Sequence, residues 1–251
     1  MADHADDGDN IFVYRGGRAP LHVTHVLIDK SVEEIEEHAF EGCKHLVHVE
    51  THDGIREVGT WAFHRCNSIR GIILRSVAEI GEYAFYSCEN LESVEFGNKL
   101  ETIGKSAFNG CISLKRLVLP SIITIKAGAF RYCSALADIE LSERLETIER
   151  SAFSCCDCLE RITIPLKRDL FSFGDHFEKY NDDCENLVTV NLVGGINETV
   201  ASLHMESWTT EMEEEMNRIN QVLPTAPADR ITDEIQACMD SALNKMDHYK
   251  A

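Results

Sequence analysis

Apolar residues recur along most of this chain in a frame of nearly fixed length. Ala-Phe stands at Ala39-Phe40, Ala62-Phe63, Ala84-Phe85, Ala107-Phe108, Ala129-Phe130 and Ala152-Phe153, so successive phenylalanines are 23, 22, 23, 22 and 23 residues apart. Around each of them an Ile or Val lies five residues before the Phe, a Cys three after it, Leu or Ile six after and Val, Ile or Leu nine after. A period in the twenties predicts a solenoid in which each repeat is one coil. Leu91-x-x-Val94-x-Phe96, Leu114-x-x-Leu117-x-Leu119 and Leu159-x-x-Ile162-x-Ile164 alternate at their ends, as a strand buried on one side does. Such strands pair in parallel from coil to coil. Gly97, Pro120 and Pro165 are then expected to turn the chain away, and the Ile-Gly-x-x-Ala-Phe-x-x-Cys stretch to form the return arm. A single coil buries too little apolar surface to offset its conformational entropy, so the coils must stack.

The ends depart from the frame. Val23-x-x-Val26-x-Ile28 is in register with the next strand but has no Ala-Phe arm of its own. Phe173-Gly174-Asp175-His176-Phe177 is a degenerate arm, followed by an insertion at Glu178-Lys179-Tyr180-Asn181, then Cys184 and a last strand, Leu187-x-x-Val190-x-Leu192. Past Gly194-Gly195 the spacing of Trp208, Met212, Met216, Ile219 and Leu223 predicts a helix with one apolar stripe and an acidic opposite face, ended by Pro224. A second helix is expected from an N-cap at Thr232 to near Tyr249, with Ile235, Met239, Ala242 and Met246 on one side. The expected organisation is an acidic segment and cap over 1–20, six to eight coils over 21–195, and a helical segment over 196–251 that covers the last coil or, alternatively, joins a partner.

A frame of the form L-x-x-V-x-L-P followed by I-x-x-I-G-x-x-A-F-x-x-C resembles the BspA-like class of leucine-rich repeats, over roughly residues 23–193. The resemblance implies a right-handed α/β-type superhelix: a parallel β-sheet on the concave face, short helical or irregular arms on the convex face, and a general role in protein recognition or adhesion without catalysis. Many members of that class lie at the cell surface. Here Met1 to Asn10 is acidic where a signal peptide is basic then apolar, and no apolar run approaches the roughly 20 residues that cross a bilayer, so a soluble cytoplasmic protein is expected.

With 24 basic against 43 acidic side chains the net charge is −19, which opposes binding to phosphate backbones or anionic lipid. The expected partner is therefore a protein, not nucleic acid or membrane, and the chain is expected to be a monomer unless the C-terminal helices self-associate. Residues flanking the central apolar position of each strand should face outward on the concave side, and His48, Glu50, Ile73, Ser93, Glu95, Arg116, Val118, Asp138, Glu140, Arg161 and Thr163 are the candidate contact residues. Their mix of both charges with apolar groups suits protein recognition.

Catalytic motifs are missing: the sequence has no Gly-rich phosphate loop, no G-x-S-x-G and no H-E-x-x-H. Neither a cofactor nor a catalytic residue is assigned. Cys43, Cys66, Cys88, Cys111, Cys133 and Cys156 hold one position in successive coils and are expected to be buried free thiols in a column. Cys155 and Cys158 fall outside that column and are candidates for redox or metal chemistry. His25, His48 and His52 are the other candidate metal cluster. Asn197-Glu198-Thr199 is a glycosylation sequon expected to be unused.

Overall fold

The computed structural model describes residues 11–171, 176–177, 187–193 and 205–250; for 205–209, 246 and 248–250 this extends to the backbone alone. The acidic 1–10 segment, Phe173, the 178–181 insertion, Cys184, Gly194-Gly195, the sequon and the side chains of Trp208, Met246 and Tyr249 lie outside that description.

Fifteen strands precede two helices in chain order: β1 (Ile11–Tyr14), β2 (His25–Ile28), β3 (Glu34–Ile35), β4 (His48–Glu50), β5 (Glu57–Val58), β6 (Gly71–Leu74), β7 (Glu79–Ile80), β8 (Ser93–Phe96), β9 (Thr102–Ile103), β10 (Arg116–Leu119), β11 (Thr124–Ile125), β12 (Asp138–Leu141), β13 (Thr147–Ile148), β14 (Arg161–Pro165), β15 (Thr189–Val193), α1 (Met205–Val222) and α2 (Ile231–Lys250). Every strand pairing is parallel. The longer strands follow one another down one side of the stack as β1-β2-β4, then β6-β8, then β10-β12-β14-β15. Pro165 does not turn the chain away as expected. It ends β14 opposite Val193, at a strand terminus where its missing N–H breaks no ladder.

A second ladder runs where the sequence suggested only a return arm. The two-residue strands β3, β5, β7, β9, β11 and β13 form one continuous six-stranded sheet built on the Ile or Val five residues before each Phe. In three of these coils a glycine follows, Gly59, Gly81 or Gly104, and lies close against the coil before it. A Cβ on Gly81 would lie 2.7 Å from the backbone nitrogen of Thr60 and 2.9 Å from the carbonyl oxygen of Val58.

The Ala-Phe arm itself forms a third hydrogen-bonded array that is neither helix nor strand. Alternate amides bond within and between coils: Ala39, Glu41 and Cys43 donate three residues back, while His38, Phe40 and Gly42 donate to Thr60, Ala62 and His64 of the next coil. The pattern repeats down the stack and requires left-handed backbone on either side of each Phe. His38, Trp61, Tyr83, Ser106 and Ser151 adopt it two residues before, and Arg65, Ser87, Tyr132 and Cys155 two after. Non-glycine residues there cost about 1–3 kcal/mol each, which the completed ladder must offset.

Inside this frame the phenylalanines stack. Ring centroids from Phe40 through Phe63, Phe85, Phe108 and Phe130 to Phe153 are 4.9–5.7 Å apart with interplanar angles of 4–13°. Both ends of the column are extended: Tyr14 of β1 packs on Phe40 at 4.9 Å, and Phe177 on Phe153 at 5.8 Å. Strand β1 thus supplies the first layer, and the degenerate arm supplies the last.

The helices close the C-terminal end. Ile219, Leu223, Ile231, Ile235 and Met239 belong to the same buried cluster as the coils. Asn220 Oδ1 accepts the Val190 N–H of edge strand β15 at 2.8 Å. Thr232 is not the N-cap of α2, which begins one residue earlier after a short 3-10 turn, Ala228–Arg230. Its hydroxyl instead accepts the His176 N–H of the last arm at 3.3 Å. Glu215 of α1 is buried between the helices. There it accepts from Lys245 at 2.7 Å, Arg218 at 2.6 Å and Ser241 at 3.0 Å.

Candidate binding surface

On the long-strand sheet, alternate side chains point into the core and the rest point outward, forming two columns because the registers align them. Gly71 faces Ser93 and Ile73 faces Glu95; Arg116 faces Asp138 and Val118 faces Glu140; Asp138 faces Arg161 and Glu140 faces Thr163. Ile73 and Val118 are 45% and 40% exposed, unusual for residues within strands whose neighbours Ile72 and Leu117 are buried.

An open groove of about 740 Å³ crosses β4, β6, β8 and β10. Seven of the candidate contact residues line it: His48, Glu50, Ile73, Ser93, Glu95, Arg116 and Val118. Gly71 contributes no side chain and leaves its floor low. Asp138, Glu140, Arg161 and Thr163 lie on β12 and β14 beside it. Arg116 reaches Asp138 at 3.3 Å and also pairs with Glu140, while Arg161 approaches Asp138 at 3.7 Å. Asp138 Oδ1 is buried and has no hydrogen-bond partner among the described residues. Arg75 joins the rim through an ion pair with Glu95 at 2.7 Å. The arginines of these pairs are about half exposed, so each pair is worth at most about 1 kcal/mol.

The candidate metal groups are not assembled. The His25 and His48 rings are 6.2 Å apart, whereas His52 is drawn into its own turn, its Nε2 against the Asp29 carbonyl at 3.0 Å and its Nδ1 accepting the Gly54 N–H. Cys155, a candidate for redox or metal chemistry, is buried at a left-handed position, and Cys158 is half-buried. Among the described residues no group of three or more His, Cys, Asp or Glu is arranged to hold a metal ion.

The column cysteines are free and buried, as the frame implied. Each thiol also donates to a carbonyl oxygen one coil back: Cys66 to Phe40, Cys88 to Phe63, Cys111 to Phe85, Cys133 to Phe108 and Cys156 to Phe130, at 3.0–3.2 Å. Burial pushes their pKa values up, that of Cys88 to about 12. They are donors in the scaffold, not nucleophiles.

Sequence reasoning missed an aromatic cluster on the arms. Trp61 stacks on Tyr83 at 4.4 Å, and His64 meets Trp61 edge-on at 4.6 Å. His38, His64 and Arg18 all converge on Glu41. Burial pulls His64 below the usual histidine range despite Glu41. Burial raises the Glu41 carboxyl, yet hydrogen bonds from His38 and His64 outweigh this and hold it below the usual range. The signal was present in the alignment of Glu41, His64 and Tyr86 one residue after each Phe.

Residues 20–124 and 70–188 match the model of a BspA type leucine-rich repeat region, in six copies. A leucine-rich repeat protein from Eubacterium ventriosum has the same fold with a TM-score of 0.54 at 22% identity, over 66% of this chain and 47% of that one. One from Bacteroides ovatus aligns over 68% of this chain and 61% of its own, at 24% identity and a TM-score of 0.43. The T. pallidum leucine-rich repeat protein is 28% identical over 68% of this chain and 72% of its own, with a TM-score of 0.46. This chain thus spans less than two thirds of the length of the first two. No curated protein matches it.

Proposed function

The chain belongs to the BspA-type leucine-rich repeat family, whose repeats commonly mediate protein interaction and are typically non-catalytic, and from that premise we propose that it is a non-catalytic scaffold binding a protein partner through the outward face of its long-strand sheet. One contrast carries the reading. At core positions every coil has nearly the same residue, whereas the outward columns change from rung to rung through His48, Ser93, Arg116, Asp138 and Arg161. Packing requires the sameness and places no such demand on the outward residues, which leaves them free to encode a contact surface.

The groove supplies apolar anchors at Ile73 and Val118 within a rim of both charges. Fully desolvated anchors with a polar rim are how protein interfaces gain affinity and exclude wrong partners. Replacing Glu95, Arg116, Asp138 and Arg161 together with side chains of opposite charge should remove the partners captured from the native cell by the unaltered chain. An unchanged set of captured proteins overturns the proposal.

Location and assembly follow as part of the same proposal. Among the described residues no helix is long and apolar enough to cross a membrane. The unbridged thiol column suits a reducing compartment, in line with a cytoplasmic protein. Packing of α1 and α2 against the last coils favours a cap over a dimerisation device. Light scattering of the full chain should give the monomer mass.

A further inference from the structure

Away from the long-strand sheet, three arms line a second, open cavity of about 310 Å³ whose lining is cationic although the chain carries a net charge of −19. Lys105, Arg131 and Arg150 converge on it with Ser106, Ser151 and the amide of Asn109. They stand 26 and 19 residues apart in sequence. The stack brings them together because Lys105 and Arg150 lie three residues before their Phe, and Arg131 lies one after.

Among the described residues none of the three cations has a carboxylate oxygen within 4.0 Å, whereas Lys126 nearby is paired with Glu149 at 3.1 Å. The Glu149 carboxylate also accepts the Ala127 N–H at 2.9 Å. Arg131 Nε is buried and has no hydrogen-bond partner among the described residues. The Arg131 guanidinium sits 4.8 Å above the Tyr132 ring, and Lys105 Nζ is 6.0 Å from the Tyr83 ring centroid, so both cations are positioned by aromatic faces instead of by counter-charge. Three unneutralised cations in one concavity repel each other, a cost without return unless an anion joins them. At physiological ionic strength fields decay over about 8 Å, so the distant carboxylates do little to repel that anion.

We infer that this cavity is an oxyanion site for a phosphoryl or sulfuryl group. Two guanidinium forks, one ammonium and two serine hydroxyls are a donor set for a multiply charged tetrahedral anion, which a singly charged carboxylate would leave partly unmatched. The site is independent of the sheet-face groove, and it exists only when three consecutive coils are stacked in register.

The test is calorimetric titration of the full chain at constant ionic strength with inorganic phosphate, pyrophosphate and sulfate. Saturable binding is expected, weakened at least about tenfold in R131Q/R150Q and in the exposed-residue variant K105Q, and unchanged in K30Q/K99Q, which removes two cations elsewhere. Tighter binding of phosphate than of sulfate assigns a phosphoryl ligand, and the reverse a sulfuryl one. No saturable binding by any of the three anions, or equal affinity in K105Q and the unaltered chain, overturns the inference.

Discussion

The thiol of Cys88 donates to the carbonyl oxygen of Phe63 at 3.0 Å, and the same oxygen accepts the backbone N–H of Cys66 from its own coil at 3.1 Å. The column position therefore selects for a small side chain that also carries a donor. Cys88→Ala should cost about 1–2 kcal/mol, combining a small void with a weakened carbonyl partner. Cys88→Ser, which keeps a donor, should cost less than the alanine variant. Denaturant unfolding of both variants checks the order, and a serine variant less stable than the alanine variant removes the hydrogen bond from the explanation.

Thiol labelling of the folded protein should be correspondingly selective. Burial raises the pKa of Cys66, Cys88, Cys111 and Cys133, so almost no thiolate is present at neutral pH. Among the described cysteines half-buried Cys158 should be alkylated first, with the column modified only on unfolding. Peptide mass spectrometry after a timed pulse of iodoacetamide reads this directly.

The glycines of the second ladder hold neighbouring coils close together. Gly81→Ala would drive a methyl group to within 2.7 Å of the Thr60 backbone, which has no flexible end to give way. A loss of at least about 1–3 kcal/mol is expected, the range for overpacking a filled interior. A midpoint equal to that of the unaltered chain would mean that neighbouring coils can separate without cost.

Among the described residues Glu215 is the one buried carboxylate joining α1 to α2. Burial alone would raise its pKa, but hydrogen bonds from Lys245, Arg218 and Ser241 outweigh it and leave the carboxyl below its ordinary value. Its contribution is thus complete above the ordinary carboxylate range and is lost as pH falls through the lowered folded value. Glu215→Gln should destabilise the helical cap by about 1–3 kcal/mol near neutral pH. The difference from the unaltered chain should shrink on acidification to about pH 3.5. Paired denaturation curves at the two pH values measure it.

The coil was legible from Phe40 to Phe153 because each layer repeats the same burial demand at the same offset. Strand β1 was not, because Ile11-Phe12-Val13-Tyr14 lacks alternation and Tyr14 replaces Phe in the column without the flanking frame. Two-residue strands such as β7 are too short to show a period. The left-handed positions were hidden because Trp61, Tyr83 and Arg65 occupy them where glycine would have announced the turn. Thr232 looked like an N-cap since its residue type fits one, yet its hydroxyl bonds to a distant amide. The outward columns of the sheet could be read from alternation alone. The Lys105, Arg131 and Arg150 cavity could not, because which arm residues face outward is set by backbone that alternates between left- and right-handed turns.

The arm hydrogen bonds run in one sense along the stack. Each amide that crosses between arms, such as those of His38, Phe40 and Gly42, points toward the C-terminal neighbour. Across the coil the second ladder runs the other way, with Gly59 donating back to Ile35 and Gly81 back to Val58, so the peptide dipoles of the two arrays oppose each other. A coil added to the stack therefore lengthens it without building up a pole at either end.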